Sequence, residues 1–205
     1  MKNIVTIDFD IIMAPCINLY NDQAGKKTWD FFLQFDHMKM LTADFNHYQK
    51  LTNWLINIIK KIKKENIIFI EDHGQVLKYI EADNSKINIY NIDHHHDCGY
   101  GKHCENEKLN CGNWGLKLHQ LNVLNNFYWI KNINSTIPPD DARIVDFISY
   151  NLQEYNLQDL PIPDKLIICL SEPWVPPYFR PLFFTWLDIL NNYYNTHFEI
   201  DFERC

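Results

Sequence analysis

Five short apolar runs punctuate the chain, each rich in β-branched or aromatic residues: Asn3 to Asp8 (NIVTID), Asn66 to Glu71 (NIIFIE), Lys86 to Ile92, Phe127 to Ile130, and Leu166 to Leu170 (LIICL). Runs of this length and composition predict buried strands. Between them the periodicity changes. From Phe45 to about Lys64 the apolar positions Phe45, Tyr48, Leu51, Leu55, Ile58, Ile59 and Ile62 recur at intervals of three and four. That spacing predicts a helix with one buried face and a lysine-rich outer face. Its basic end, KKIKKE, complements a helix C-terminus electrostatically. Further helices are expected over Gly74 to Ala82, Trp114 to Leu124 and Pro181 to Tyr194, and Pro138-Pro139-Asp140 opens another element running to about Leu152.

Alternating strands and helices with near-continuous apolar strands imply a parallel sheet covered on both faces. The expected fold is therefore α/β, three-layered, with a mostly parallel central sheet and helices on both sides. No repeat, linker or low-complexity segment divides the chain, so one domain over residues 1–205 is expected.

Composition narrows the function. The 205 residues are 46% hydrophobic and 15% aromatic, which suits a packed globule. A net charge of −7, with nine histidines counted as neutral, argues against general nucleic-acid binding, because that binding needs basic surface. The same acidity suits a cationic substrate or bound cations. The first apolar run is cut by Asp8 and Asp10, unlike a secretory signal. With no apolar stretch of about 18 residues, no membrane span is expected. Six cysteines without a signal imply reduced thiols and a cytoplasmic location. Cys98, Cys104 and Cys111 lie close in sequence, but without the paired C-x-x-C spacing of a zinc knuckle.

The chemistry concentrates at the strand ends. IVTIDFD, IIFIEDHG and INIYNIDHHHD each finish in acidic residues and histidines. In open parallel sheets those ends border the ligand crevice. Asp8, Asp10, Asp72, His73, Asp93, His95 and Asp97 thus become candidates to converge. Taken singly, each has a plain alternative as a cap or a surface loop residue. The alternation Asp93-x-His95-x-Asp97 sends three ligand-type side chains to one side of an extended segment, with His94 and His96 facing away. Four carboxylates with two imidazoles form an oxygen-dominated donor set suited to Mn²⁺. Such a concentration of negative charge calls for two dications, about 3.5–4 Å apart.

These motifs resemble the ureohydrolases of the arginase and agmatinase type, which carry D-H, D-x-H-x-D and D-x-D at strand ends. The closer similarity is to small arginase-like proteins, including peptide arginases that convert arginine to ornithine within ribosomally made peptides. It rests on EDHG (71–74), DHHHD (93–97) and CGNWG (111–115). The resemblance implies two Mn²⁺ ions per chain held by Asp8, Asp10, His73, Asp93, His95 and Asp97, with Asp8 and Asp93 bridging. It further implies Glu172 of LIICLSEPWVPP as the partner of the substrate guanidinium, and Asn113 and Trp114 as substrate-facing. Asp97, Glu172 and His96 are the expected catalytic residues, and an arginine-containing precursor peptide is the expected partner.

Two departures stand out. The D-x-D lies at the N-terminal end of the sequence, not late in the chain. Trp114 and Gly115 replace the histidine expected after G-N, which leaves His96, His103 and His119 as candidate proton shuttles. In the mechanism implied, a metal-generated hydroxide attacks the guanidinium carbon, Asp97 or Asp10 relays the proton, and urea leaves. The short chain suggests an open cleft lined by Trp114, Trp129, Trp174 and Tyr178, and so a preference for peptides over free arginine. Two rival classes compete. Asp93-His94-His95 with Asp8-x-Asp10 resembles a D-H-H-type Mn-dependent phosphoesterase, although Thr6 and Ile7 stand where that family has a histidine. A non-enzymatic zinc module built on Cys98, His103, Cys104 and Cys111 is the other.

Overall fold

A computed structural model describes residues 1–13, 44–80, 85–100, 104–135, 137 and 144–202. Seven strands form one all-parallel sheet in the order β5-β4-β3-β1-β6-β2-β7. They are β1 (Lys2–Asp8), β2 (Ile67–Ile70), β3 (Ile87–Asp93), β4 (Leu124–Lys131), β5 (Ile148–Asn151), β6 (Lys165–Cys169) and β7 (Ile200–Asp201). Four α-helices accompany them among the described residues: α1 (Phe45–Ile58), α2 (Val76–Tyr79), α3 (Trp114–Gln120) and α4 (Arg180–Tyr194). The three-layer α/β architecture expected from the hydrophobic pattern is the one observed.

The helices sort by face. Leu51, Trp54, Leu55 and Ile58 of α1 and Phe183, Trp186, Leu187 and Leu190 of α4 pack on one side of the sheet, against Val5, Ile7, Phe69 and Ile168. Val76 of α2 and Trp114, Leu116 and Leu118 of α3 pack on the other, against Ile4, Ile89, Phe127 and Ile167. Connections running toward β7 use the first face and those running toward β5 use the second, as crossovers of a single hand require. The direction of travel reverses around β1, and such a switch point opens a crevice beyond the strand C-termini.

Local chemistry sets several boundaries. Helix α1 starts at Asp44, whose carboxylate accepts from the amides of Asn46 and His47. It stops at Ile58, short of the expected Lys64. The lysine run beyond it places like charges three and four residues apart, which opposes further helix, and a 3₁₀ turn at Lys64–Asn66 leads into β2 instead. The helix expected over Gly74 to Ala82 is only one turn long, preceded by a 3₁₀ turn at His73–Gln75. Helix α3 ends early because Asn122 adopts a left-handed conformation at φ 55°, so β4 begins earlier than expected. The element expected from Pro138 to about Leu152 begins at residues outside those described and ends in strand β5, while β7 has no counterpart in the expected elements; both are short edge strands, and β5 is largely exposed.

Candidate metal centre

The end of β1 delivers Asp8 and, through a tight 3₁₀ turn, Asp10. Asp8 caps that turn by accepting from the Asp10 amide at 3.1 Å. The turn is fixed from behind by Asn132, whose Nδ2 donates to the carbonyls of Ile11 and Met13, each at 3.0 Å. The end of β2 delivers His73. Asp72 does not turn inward with it: its carboxylate accepts from the Gly74 amide, while the Gln75 Oε1 accepts from the amides of Glu71 and Asp72. This reciprocal capping aims the neighbouring imidazole at the crevice. The end of β3 delivers Asp93, then His95 and Asp97.

Three carboxylates converge on one nitrogen. His73 Nδ1 lies 3.1 Å from Asp8 Oδ2, 3.1 Å from Asp93 Oδ2 and 2.9 Å from Asp97 Oδ2. None of these contacts has hydrogen-bond geometry at that nitrogen, and one N–H could serve only one of them in any case. Beside this group, His95 Nδ1 lies 2.9 Å from Asp10 Oδ2 and 3.9 Å from Asp93 Oδ1. Asp8, His73 and Asp93 form one set of mutually close ligand atoms, and Asp10, Asp93 and His95 form another. Asp93 belongs to both sets. Asp8 belongs to the first alone, and its other oxygen serves the Asp10 amide.

The distances fit a cation between the atoms. Neighbouring ligands around a six-coordinate ion with bonds near 2.1 Å are separated by about 3 Å. Asp10 Oδ2 and both His73 ring nitrogens are buried with no hydrogen-bond partner, an expensive state without a counter-ion. Protonation equilibria report the same stress. Burial, then the charges of Asp97 and Asp8, lifts Asp93 to about 7. Burial and the Asp10 charge raise Asp8, and burial and Asp93 raise Asp10. Burial pushes His95 down, but Asp10 and the other carboxylates more than offset it, holding the imidazole at about 10. His73 is likewise held well above its ordinary value by Asp8, Asp93 and Asp97 against the effect of burial. The ion-free cluster therefore retains protons that a metal would displace.

The G-N-W-G segment braces this cluster from below. The Trp114 indole N–H donates to Asp97 Oδ2 at 2.7 Å, and its ring lies 5.1 Å from the His73 ring. Asp97 sits at φ 55°, and its carbonyl accepts from the Gly115 amide at 2.9 Å. A side chain at Gly115 would meet Phe127, this carbonyl and Cys98 Sγ at 2.9–3.1 Å, so only glycine permits the approach. Asn113 is buried and staples its own loop, accepting from the Asn110 amide and donating to the Lys108 carbonyl. The two residues expected to face substrate thus use their polar atoms inside the protein.

The remaining candidates are scattered. His96 is fully buried between Tyr100 and Phe147, with Nδ1 accepting from the Cys98 amide at 3.0 Å. His119 is exposed near the end of α3, and His103 lies outside the described residues. Trp129 is buried and donates to the Asp93 carbonyl, whereas Trp174 lies with its ring 5.2 Å from that of His95. Glu172 Oε1 pairs with Arg180 Nη1 at 2.9 Å. No cysteine among the described residues joins either ligand set. Sequence reading missed Asn132 and Gln75; a polar residue just beyond an apolar strand is the only signal either offers. Among the described residues no helix is long and apolar enough to cross a membrane. The chain matches no protein-family model, no curated protein and no solved structure.

Proposed function

We propose that this chain is a binuclear, Mn²⁺-dependent hydrolase that cleaves the guanidino group of arginine residues in a peptide, giving ornithine and urea. The observation that carries the reading is Asp93, whose two oxygens are directed at two separate ligand sets. Hard oxygen donors with one imidazole in each set favour Mn²⁺ over thiophilic metals. Bound there, a pair of divalent ions supplies a nucleophile at neutral pH and Lewis acidity toward the guanidinium carbon.

The protein's own contribution is placement. Asp93 sets the spacing of the two sets, and Trp114 holds Asp97 against His73. Asp10 Oδ2 and Asp97 are the carboxylates that take up and relay protons. The partly exposed His95, with the buried Trp174 against its ring, marks the side from which a substrate side chain would enter. Glu172 is the carboxylate assigned to the substrate guanidinium; it pairs with Arg180 Nη1 at 2.9 Å, a partner that substrate arginine would have to displace. Glu172→Gln keeps the shape and loses the charge; it should raise KM and leave metal content unchanged.

The test is incubation of the Mn²⁺-loaded protein with peptides containing internal arginine, with free arginine, and with phosphodiesters. Urea release, and the peptide mass loss that accompanies conversion to ornithine, supports the proposal. Phosphate or nucleotide release without urea would replace it with the D-H-H phosphoesterase reading.

A further inference from the structure

Two polar side chains stand among the buried apolar positions of β1 and β3. Thr6 on β1 and Asn91 on β3 are both fully buried and are direct register partners across the β1–β3 ladder. Each precedes a cluster carboxylate by two residues, so each shares its face with Asp8 or Asp93. Burying a hydroxyl and an amide inside a sheet is costly unless both are satisfied. Here both are. Thr6 Oγ1 donates to Asn91 Oδ1 at 2.6 Å. Asn91 Nδ2 donates to Asp93 Oδ2 at 3.1 Å and to the His95 carbonyl at 3.3 Å.

The amide orientation follows from its neighbours. An ionised carboxylate and a carbonyl accept only, so the NH₂ end must face them, and the Oδ1 end is left for the hydroxyl. Asp93 Oδ1 is fixed separately by the His95 amide at 2.8 Å. Each oxygen of Asp93 thus accepts one hydrogen bond from the protein and keeps a lone pair for its own ligand set. We infer that Thr6 and Asn91 form a buried positioning relay that holds Asp93 in the orientation shared by both ligand sets, and that two-ion occupancy depends on it.

This rests on the binuclear reading above. Were the pair merely filling space, apolar residues of similar size would serve as well. Thr6→Val removes the hydroxyl at nearly constant shape, Thr6→Ser retains it, and Asn91→Leu removes the amide. Calorimetric titration with Mn²⁺, together with the electron paramagnetic resonance signal of a coupled Mn²⁺ pair, reads occupancy without reference to turnover. Groups that orient metal ligands typically contribute about 10–100-fold in affinity. Asn91→Leu is expected to bind one ion in place of two and to lose the coupled signal. Thr6→Val is expected to weaken the second ion about tenfold, with Thr6→Ser restoring it. Should Asn91→Leu fail to fold, the Thr6→Val and Thr6→Ser comparison decides the question alone. Two ions bound with unchanged affinity in Thr6→Val would overturn the relay and leave the binuclear reading standing. A wild-type protein that takes up no Mn²⁺ would overturn both.

Discussion

The two halves of the cluster differ in wetness and in charge. The His73 half is sealed: His73 is 1% exposed, three carboxylates surround it, and Trp114 closes it from beneath. In the His95 half the imidazole is 19% exposed, two carboxylates approach it, and Trp174 lies against the ring. Coulomb repulsion among charges this close strengthens as water is excluded. The inner half is therefore the more costly to leave empty and gains more from an ion. The outer half is the more solvent-accessible of the two. On the proposed reading, one cluster would hold a structural seat and a working seat, joined by Asp93.

Removing the joint should erase the difference. Asp93→Ala deprives both sets of their common ligand, and both ions and all urea release should be lost, as metal analysis and a urea assay would record. Retention of one tightly bound ion would show that the halves are independent.

Single-ligand changes should separate the halves. His73→Ala is expected to release the inner ion and to lower the Tm of the Mn²⁺-loaded protein by several degrees, since ion binding to the native state stabilises it by mass action. His95→Ala should release the outer ion, abolish turnover and move the Tm much less. Equal Tm losses in the two variants would contradict the ranking.

Trp114→Phe keeps the ring against His73 but withdraws the indole N–H from Asp97. A loss of about 10–100-fold in affinity for the inner ion is expected, with the outer ion unaffected; a calorimetric titration distinguishes them.

The smallest effect is graded with pH. Asp93, held at about 7, and His95, held at about 10, both lie above their unfolded values. Their contributions to the stability of the ion-free protein are fully present below about 3.8 and 6.5 respectively, and are lost as pH rises through about 7 and 10. His94, pushed down to about 3 by burial and then by His95, acts the other way. Its contribution is present above about 6.5 and is lost as pH falls through about 3, so it offsets Asp93 in the acid range. Above pH 7 the decline comes from His95 together with His73, at up to ~1.4 kcal/mol per pH unit for each proton. Over the same window Mn²⁺ affinity should rise about tenfold per unit for each proton displaced. Denaturant titrations of the ion-free protein at pH 7, 8 and 9 check the sign.

Much of this arrangement was legible in the sequence because it lies on buried strands. Apolar runs ending in Asp8, Asp93 and the Asp72-His73 pair marked β1, β3 and β2, and period-two alternation separated His95 and Asp97 from His94 and His96. What the sequence left open depends on which surface a polar atom meets. Asp72 and His73 are adjacent and both suited to metal, yet one caps a turn and the other enters the cluster. Trp114 and Asn113 read as substrate-facing and are instead turned inward, since an indole N–H or an amide is satisfied equally well on either side. Edge strands β5 and β7 carry too few buried apolar residues to announce themselves.

The strand order has a consequence for how the protein is made. Strand β2 pairs only with β6 and β7, both of which are synthesised after residue 164. Until the ribosome has extruded them, His73 has no sheet to hold it in place. The pairing of β1 with β3 needs nothing beyond residue 93; Asp93 ends β3, while Asp10 and His95 lie just past the ends of the two strands. A nascent chain can thus bring Asp10, Asp93 and His95 near one another once Asn132 has arrived to hold the Asp10 turn, while His73 still waits for β6. The late arrival of β6 between β1 and β2 is then the step that closes the cluster. Long-range parallel pairing of this kind is slow and leaves apolar edges open while it waits. If the cluster binds divalent cation as proposed, ion supplied during translation should shorten that wait, and the yield of folded protein should depend on when it is supplied.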